Sequence, residues 1–385
     1  MALHFSDEEF ADRLARLRAR MQRDKLDCLL LFAQESMYWL TGYDTFGFCF
    51  FQSLVVTRDG SMVLLTRSAD QRQARHTSTL SDIRIWVDLG DANPVSQLKD
   101  LLFELDMLGG RIGVEFDTHG MTGSVGIALA EQLNSFAELC DCSPLVPSLR
   151  AIKSPEELVY IRKAAELADL AFEKALPEIH GGADEARILS ILQGTVLEGG
   201  GDYPANEFVI GSGRDALLVR YQSGRRILKE TDQLTLEWAG CYRHYHAALM
   251  RTVPIGRPSA RFQEMEAVAW KALAAVEQAM KPGNTFGDLF KAHADVIDEH
   301  DMMPHRLNSC GYSLGARFAP SWMDPPMAYR DNNELIEPNM VLFQHMVLMD
   351  SSSDTAVTLG RSYLTTNGNA ECLSRLPLDL PLNSG

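Results

Sequence analysis

The chain changes architecture at one short stretch, Leu149-Arg150-Ala151-Ile152-Lys153-Ser154-Pro155-Glu156-Glu157. Ser154 suits an N-cap, and Pro155 suits the first helical position, where its missing N–H costs nothing. Glu156 and Glu157 place negative charge on the positive end of the helix dipole. A long helix therefore starts here and is expected to reach about Leu176. Ahead of it, Ser6 and Glu9 form a capping box opening a helix with Phe10, Leu14, Leu17 and Met21 on one face. Residues 28–32 form an apolar run that reads as a buried strand, and Asp59-Gly60 between two β-prone runs reads as a hairpin. Further strands are expected at 83–87 and 112–116, with a helix at 95–105. Strands alternating with helices indicate an α/β domain over residues 1–150.

Beyond the join the pattern differs. Helices are expected at 183–197, 260–280 and 286–300. Strands are expected at 207–210, 233–239, 245–252, 309–314, 340–349 and 356–365. Residues 151–385 thus read as an α+β domain, a curved antiparallel sheet backed by helices. A total of 385 residues is more than one ordinary core accommodates, which agrees with two domains. The net charge of -16 argues against a nucleic-acid partner. No apolar run approaches the roughly 18 residues of a membrane span, so no membrane partner is expected. The first residues lack the pattern of a signal peptide, which makes a cytoplasmic location the expectation. Seven scattered cysteines include no C-x-x-C pair, and Cys140-x-Cys142 has no second pair to complete a zinc site.

Within this frame Glu237 is the leading chemical candidate. It sits in Leu234-Thr235-Leu236-Glu237-Trp238-Ala239, where strand alternation turns it to one side of an apolar segment. A carboxylate buried without a metal has a raised pKa, which suits a general base or a nucleophile. The alternative is a structural acid paired with a nearby cation such as Arg251.

The join at 149–157, Lys281-Pro282-Gly283 ahead of a helix, and the block 232–252 resemble the creatinase, prolidase and aminopeptidase P family, whose peptidases are called M24. The resemblance spans nearly the whole chain. It implies a creatinase-type N-terminal α/β domain, a C-terminal pita-bread α+β catalytic domain and a homodimer. Metal-using members hold two ions with two Asp, one His and two Glu. At the matching positions this chain has Glu237, Ala248, Tyr312, His345 and, near the last, Leu359. Too few donors remain, so the resemblance implies no metal and no cofactor, as in the creatinase and ectoine hydrolase branches.

Ala248-Leu249-Met250-Arg251-Thr252 is similar to a creatinase strand, but Arg220 stands where that enzyme's catalytic His is expected, and Met250 and His345 replace acids. The ectoine hydrolase branch is similar at 237–240, Tyr245-His246, Gly311-Tyr312-Ser313 and Pro320-Ser321-Trp322. These likenesses imply a hydrolase that cleaves a non-peptide C–N bond in a small nitrogen-containing solute, an ectoine-type cyclic amidine by preference. The alternatives are a creatinase-like amidinohydrolase, a metal-dependent Xaa-Pro peptidase or dimethylsulfoniopropionate lyase, or a non-catalytic solute-binding protein.

The expected roles follow. His246, sharing a strand face with His244 and Ala248, moves protons or is simply a packed histidine. Tyr312 and His345 occupy former ligand positions and contact the substrate, or only fill the space. Arg220 grips a substrate carboxylate, and Arg251 does the same or acts as a strut under the sheet. Trp322 and Asp324 lie in a loop over the ligand, with exposure the alternative for Asp324. Phe48, in the aromatic segment 43–51, touches substrate in the partner subunit by analogy with creatinase, or the segment is ordinary strand core.

Overall fold

The computed structural model describes residues 3–220 and 225–379, so Tyr221 and Gln222, which flank Arg220, lie outside it. The chain forms two compact units, Met1–Arg150 and Ala151–Gly385. Among the described residues no helix is long and apolar enough to cross a membrane.

The first unit runs α1 (Asp7–Arg23), β1 (Cys28–Leu31), α2 (Gln34–Thr41), β2 (Ser53–Thr57), β3 (Met62–Arg67), α3 (Gln71–Thr77), β4 (Asp82–Trp86), α4 (Pro94–Glu104), β5 (Arg111–Val114), α5 (Gly123–Leu133), β6 (Glu138–Asp141) and α6 (Leu145–Arg150). Its sheet has the order β4-β3-β2-β1-β5-β6. Strand β1 is antiparallel to β2 and parallel to β5. Both faces of β1 are covered, which is why its sequence is a continuous apolar run. Ser6 caps α1 by accepting the Glu9 N–H at 3.1 Å, while the Glu9 carboxylate takes Arg13 Nε at 2.8 Å.

The segment 43–51 is not a strand. It contains a single 3-10 turn, Gly47–Cys49. Phe51 enters the core, whereas Phe50 is 45% exposed with the Arg67 guanidinium 4.0 Å over its ring. Sequence periodicity also passed over α2, because every residue of it is buried and no polar face exists to betray the helix.

In the second unit, α7 (Pro155–Ala175) opens with both halves of the Ser154/Glu157 capping box. There follow α8 (Glu185–Glu198), β7 (Val209–Ser212), β8 (Asp232–Tyr242), β9 (Tyr245–Ile255), α9 (Ala260–Ala279), α10 (Phe286–Glu299), β10 (Ser309–Ser313), β11 (Asp324–Tyr329), β12 (Val341–Asp350), β13 (Thr355–Leu364) and β14 (Glu371–Cys372). The sheet order is β11-β10-β12-β13-β9-β8-β7, with β14 beside β13. One face packs on α9 and α10 through Leu342, Met346, Leu348 and Leu359, which meet Phe262, Leu273 and Phe290 in a single apolar cluster. The opposite face is free to carry polar side chains.

The β8–β9 hairpin turns on Arg243-His244, with φ of 53° and 65°. A two-residue turn with both central residues left-handed matches the twist of the strands it joins. His244 is therefore a turn residue and does not share a strand face with Ala248, contrary to the sequence expectation.

Candidate active site

Cross-strand partners lie on the same side of a sheet. Val209 pairs with Glu237, Glu237 with Met250, Met250 with Gly360, and Gly360 with His345. Two residues along β12 from His345, Phe343 pairs with Tyr312. One face of five adjacent strands thus presents Glu237, Met250, His345 and, from β10 beyond them, Tyr312. Ala248 is on this face too, opposite Ala239. Leu359 is not: it belongs to the apolar cluster behind the sheet, and the site-facing position is Gly360. The sequence register was one residue off at that strand.

Glu237 is partly buried. Its Oε1 accepts the Tyr312 hydroxyl at 3.3 Å, and the Tyr312 oxygen accepts Trp322 Nε1–H at 2.9 Å. Trp322 is held in turn by its own N–H, which donates to Asn206 Oδ1 at 3.1 Å. Burial pushes the Glu237 pKa up to about 7, against the opposing pull of the Tyr312 hydrogen bond and the Arg220 charge. Burial and the Glu237 charge raise the Tyr312 hydroxyl well above its ordinary value, so it stays a donor. Arg220 is an exposed side chain whose charge is felt by both groups.

His345 is buried and held neutral, its pKa lowered to about 4 by loss of solvent. Its ring lies against Tyr312 and Phe343, with centroids 5.8 and 5.5 Å away. Its Nδ1 has no hydrogen-bond partner among the described residues.

Other expected site residues are placed differently. His246 is fully buried, with Nε2 accepting the Ala205 N–H at 3.0 Å and Nδ1 facing the Gly315 carbonyl at 3.5 Å. Acceptance at Nε2 leaves the ring proton on Nδ1. Burial lowers its pKa to about 3. Both nitrogens are committed to backbone, which removes the expected proton shuttle and makes His246 a tie between two loops. His244 stacks on Phe318, with ring centroids 4.1 Å apart.

Asp324 is neither exposed nor in a loop. It opens β11, is buried, and faces Arg317 Nη1 at 3.3 Å. Trp322 is buried and bonded to Tyr312, so it is a wall of the site and not a flap. Phe48 is partly buried in the 3-10 turn of the first unit. Arg251 points to the reverse face, opposite Leu359, and does not pair with Glu237. Sequence reasoning missed Asn206 and Phe343, since nothing local marks either one.

Divalent ions of the kind expected in this fold take several anionic oxygens. Among the described residues this face offers one carboxylate, already hydrogen-bonded to a tyrosine, and one histidine with an open nitrogen, since both nitrogens of His246 face backbone. Among the described residues no group of three His, Cys, Asp or Glu could hold a metal ion. The residues present do not fit a dinuclear centre.

The profile of metallopeptidase family M24 matches residues 159–366, and that of the creatinase/prolidase N-terminal domain matches residues 13–152. An ectoine hydrolase of Halomonas elongata is 28% identical over 99% of this chain and 98% of its own length. The Xaa-Pro dipeptidase of Bacillus anthracis superposes with a TM-score of 0.84 at 21% identity, covering 97% of this chain and 99% of its own. A prolidase of Thermococcus sibiricus superposes at 0.87 with 18% identity, over 97% and 99% of the two chains. The sheet, the order of its strands and these matches lead to one assignment: the chain belongs to metallopeptidase family M24, with a creatinase/prolidase N-terminal domain ahead of the family's catalytic fold.

Proposed function

We propose that this hydrolase cleaves a non-peptide C–N bond in a small nitrogen-containing solute, an ectoine-type cyclic amidine by preference, using Glu237 as general base in place of a divalent metal. The observation that carries this reading is the Trp322–Tyr312–Glu237 chain of hydrogen bonds on the family's metal-binding face, ending in a carboxyl whose pKa of about 7 suits proton transfer near neutrality. The ectoine hydrolase relative supports the choice of substrate class.

In this mechanism the Glu237 carboxylate takes a proton from water as the water oxygen bonds to the amidine carbon. The C=N electron pair moves onto nitrogen. Collapse of the tetrahedral carbon then forms the amide C=O and breaks a C–N bond: Glu237 gives its proton to the departing nitrogen and takes the proton of the added hydroxyl in return, which restores its starting state. His345 assists, because its open Nδ1 is a neutral hydrogen-bonding atom on the same face. Tyr312 stabilises charge at the reacting centre. Arg220 holds the substrate carboxylate. In a homodimer Phe48 of each protomer contacts substrate in its partner.

The test is ring opening of ectoine by purified enzyme across a pH series, with and without chelator. Turnover that rises with a midpoint near neutrality and survives chelation is expected. No opening at any pH removes the amidine, and abolition by chelator removes the metal-free mechanism.

A further inference from the structure

Cys140 and Cys142 lie at the edge of the first unit's sheet, where β6 ends the strand order and pairs with β5. Cys142 follows β6 directly, and its N–H still donates to the Val114 carbonyl at 2.9 Å. Side chains two residues apart on such a strand turn to the same side. The two sulfurs are accordingly 3.9 Å apart. Gly113, the β5 residue opposite Cys140, makes the room for them: a Cβ there would fall 2.6 Å from Cys142 Sγ. Both cysteines are free and half-buried. The exposed guanidinium of Arg111 lies beside Cys140, whose sulfur is the first cause of that arginine's raised pKa. Glu138 Oε1, 3.3 Å from Arg111 Nη1, also holds the guanidinium.

Distance decides what such a pair can do. A disulfide is a strained fit. The sulfurs would have to close from 3.9 Å to about 2.05 Å, between residues roughly 6.5 Å apart along the chain, at the far end of what a disulfide bridges. An ion between the sulfurs fits without movement. A metal–thiolate bond is about 2.3 Å, so two of them span about 4.6 Å when straight and less when bent.

The number of donors selects the ion. Structural zinc takes four ligands, and among the described residues no group of three His, Cys, Asp or Glu could hold a metal ion. Copper(I) is soft, is selected by thiolate sulfur, and accepts two ligands. Copper(I) on two thiolates carries one net negative charge, and Arg111 stands beside it. Burial and the neighbouring Cys140 push the Cys142 thiol up to about 12, so Cys142 keeps its proton until a metal displaces it.

We propose that Cys140 and Cys142 together form a two-thiolate binding site for copper(I) at the edge of the N-terminal sheet. Two S–H bonds give way to two S–Cu bonds, both protons pass to solvent, and neither sulfur nor copper changes oxidation state. The proposal is independent of the chemistry assigned to Glu237.

The probe is copper(I) alone, presented without oxygen to the reduced full chain from its coloured complex with bathocuproine disulfonate. One equivalent per chain is expected to transfer, read as loss of the chelator's colour. Cys140→Ser and Cys142→Ser should each weaken uptake at least about a hundredfold. Cys49→Ser removes an exposed cysteine outside the pair and should leave uptake unchanged. Zinc(II) should bind at least about a hundredfold more weakly than copper(I). No transfer, transfer undiminished in either of the first two variants, or equal affinity for zinc overturns the proposal. Where a serine variant does not fold, the parent chain decides: bound copper(I) must protect Cys140 and Cys142 together from alkylation by N-ethylmaleimide while Cys49 stays reactive, and alkylation of either member of the pair overturns the proposal.

Discussion

Glu237 in its ionised form costs the fold stability. Its folded pKa is about 7 against an ordinary value of 4.5. A carboxyl raised on folding contributes fully below the ordinary value and loses that contribution as pH rises through the folded one. The penalty above both is about 3 kcal/mol at most. Glu237→Gln escapes it, so the variant should be more stable than the parent at about pH 8 and equal to it near the lower value, as read by urea unfolding in a pH series. The same variant should lose turnover by about a hundredfold or more, the usual contribution of a general base. Tyr312→Phe removes a hydrogen bond that favours the carboxylate. It should therefore move the alkaline-rising limb of the pH–rate profile to higher pH, and a limb that stays in place would detach Tyr312 from Glu237.

At this scale the sequence shows Glu237, because a lone acid in an apolar strand has an evident side. It does not show that His246 is spent on backbone. The atoms that spend it belong to Ala205 and Gly315, 41 and 69 residues away.

Elements were legible where local signals are strong: the Ser154/Glu157 box, the Asp59-Gly60 hairpin and the long strands β8, β9, β12 and β13. Elements α2, α3, α5, α6, β6, β11 and β14 escaped, and two of them show why. Helix α2 has no polar face. Strand β11 contains Pro325-Pro326, which argues against any strand, yet it lies at the sheet edge, where a missing N–H is tolerated. The loop expected over Trp322 and Asp324 therefore gives way to a strand at Asp324.

Register is harder still. A slip of one residue moves a side chain to the other face, and this is the difference between Leu359 and Gly360. How α7 lies on β8 is fixed by absence of a side chain: a Cβ on Gly240 would fall 1.8 Å from the Ala164 carbonyl oxygen and 2.8 Å from the Ala168 nitrogen. Since those atoms are helix backbone, Gly240→Ala should cost about 3 kcal/mol and lower the urea midpoint accordingly. A midpoint within error of the parent would mean that the helix moves aside freely.

The whole molecule was legible as a succession: an α/β unit, a helix start, then an α+β unit with few metal donors. What each protomer lends to another is a proposal with a clean test. Neither Phe48→Ala nor Glu237→Gln homodimers should be active at the parental rate. Subunits exchanged between the two should regain activity, since one site of each mixed dimer then has both native residues. No gain on mixing, with exchange verified by mass, would place Phe48 outside the reaction.

The strand order carries a last consequence. β13, the final long strand, sits between β12 and β9, in the middle of the sheet. As the chain emerges from a ribosome, β7, β8 and β9 can pair among themselves, and so can β10, β11 and β12. Until residues 355–364 arrive, each half ends in an open border of unpaired amides, a surface that invites adhesion to other nascent chains. The two halves are sewn together by a seam delivered only after both have emerged.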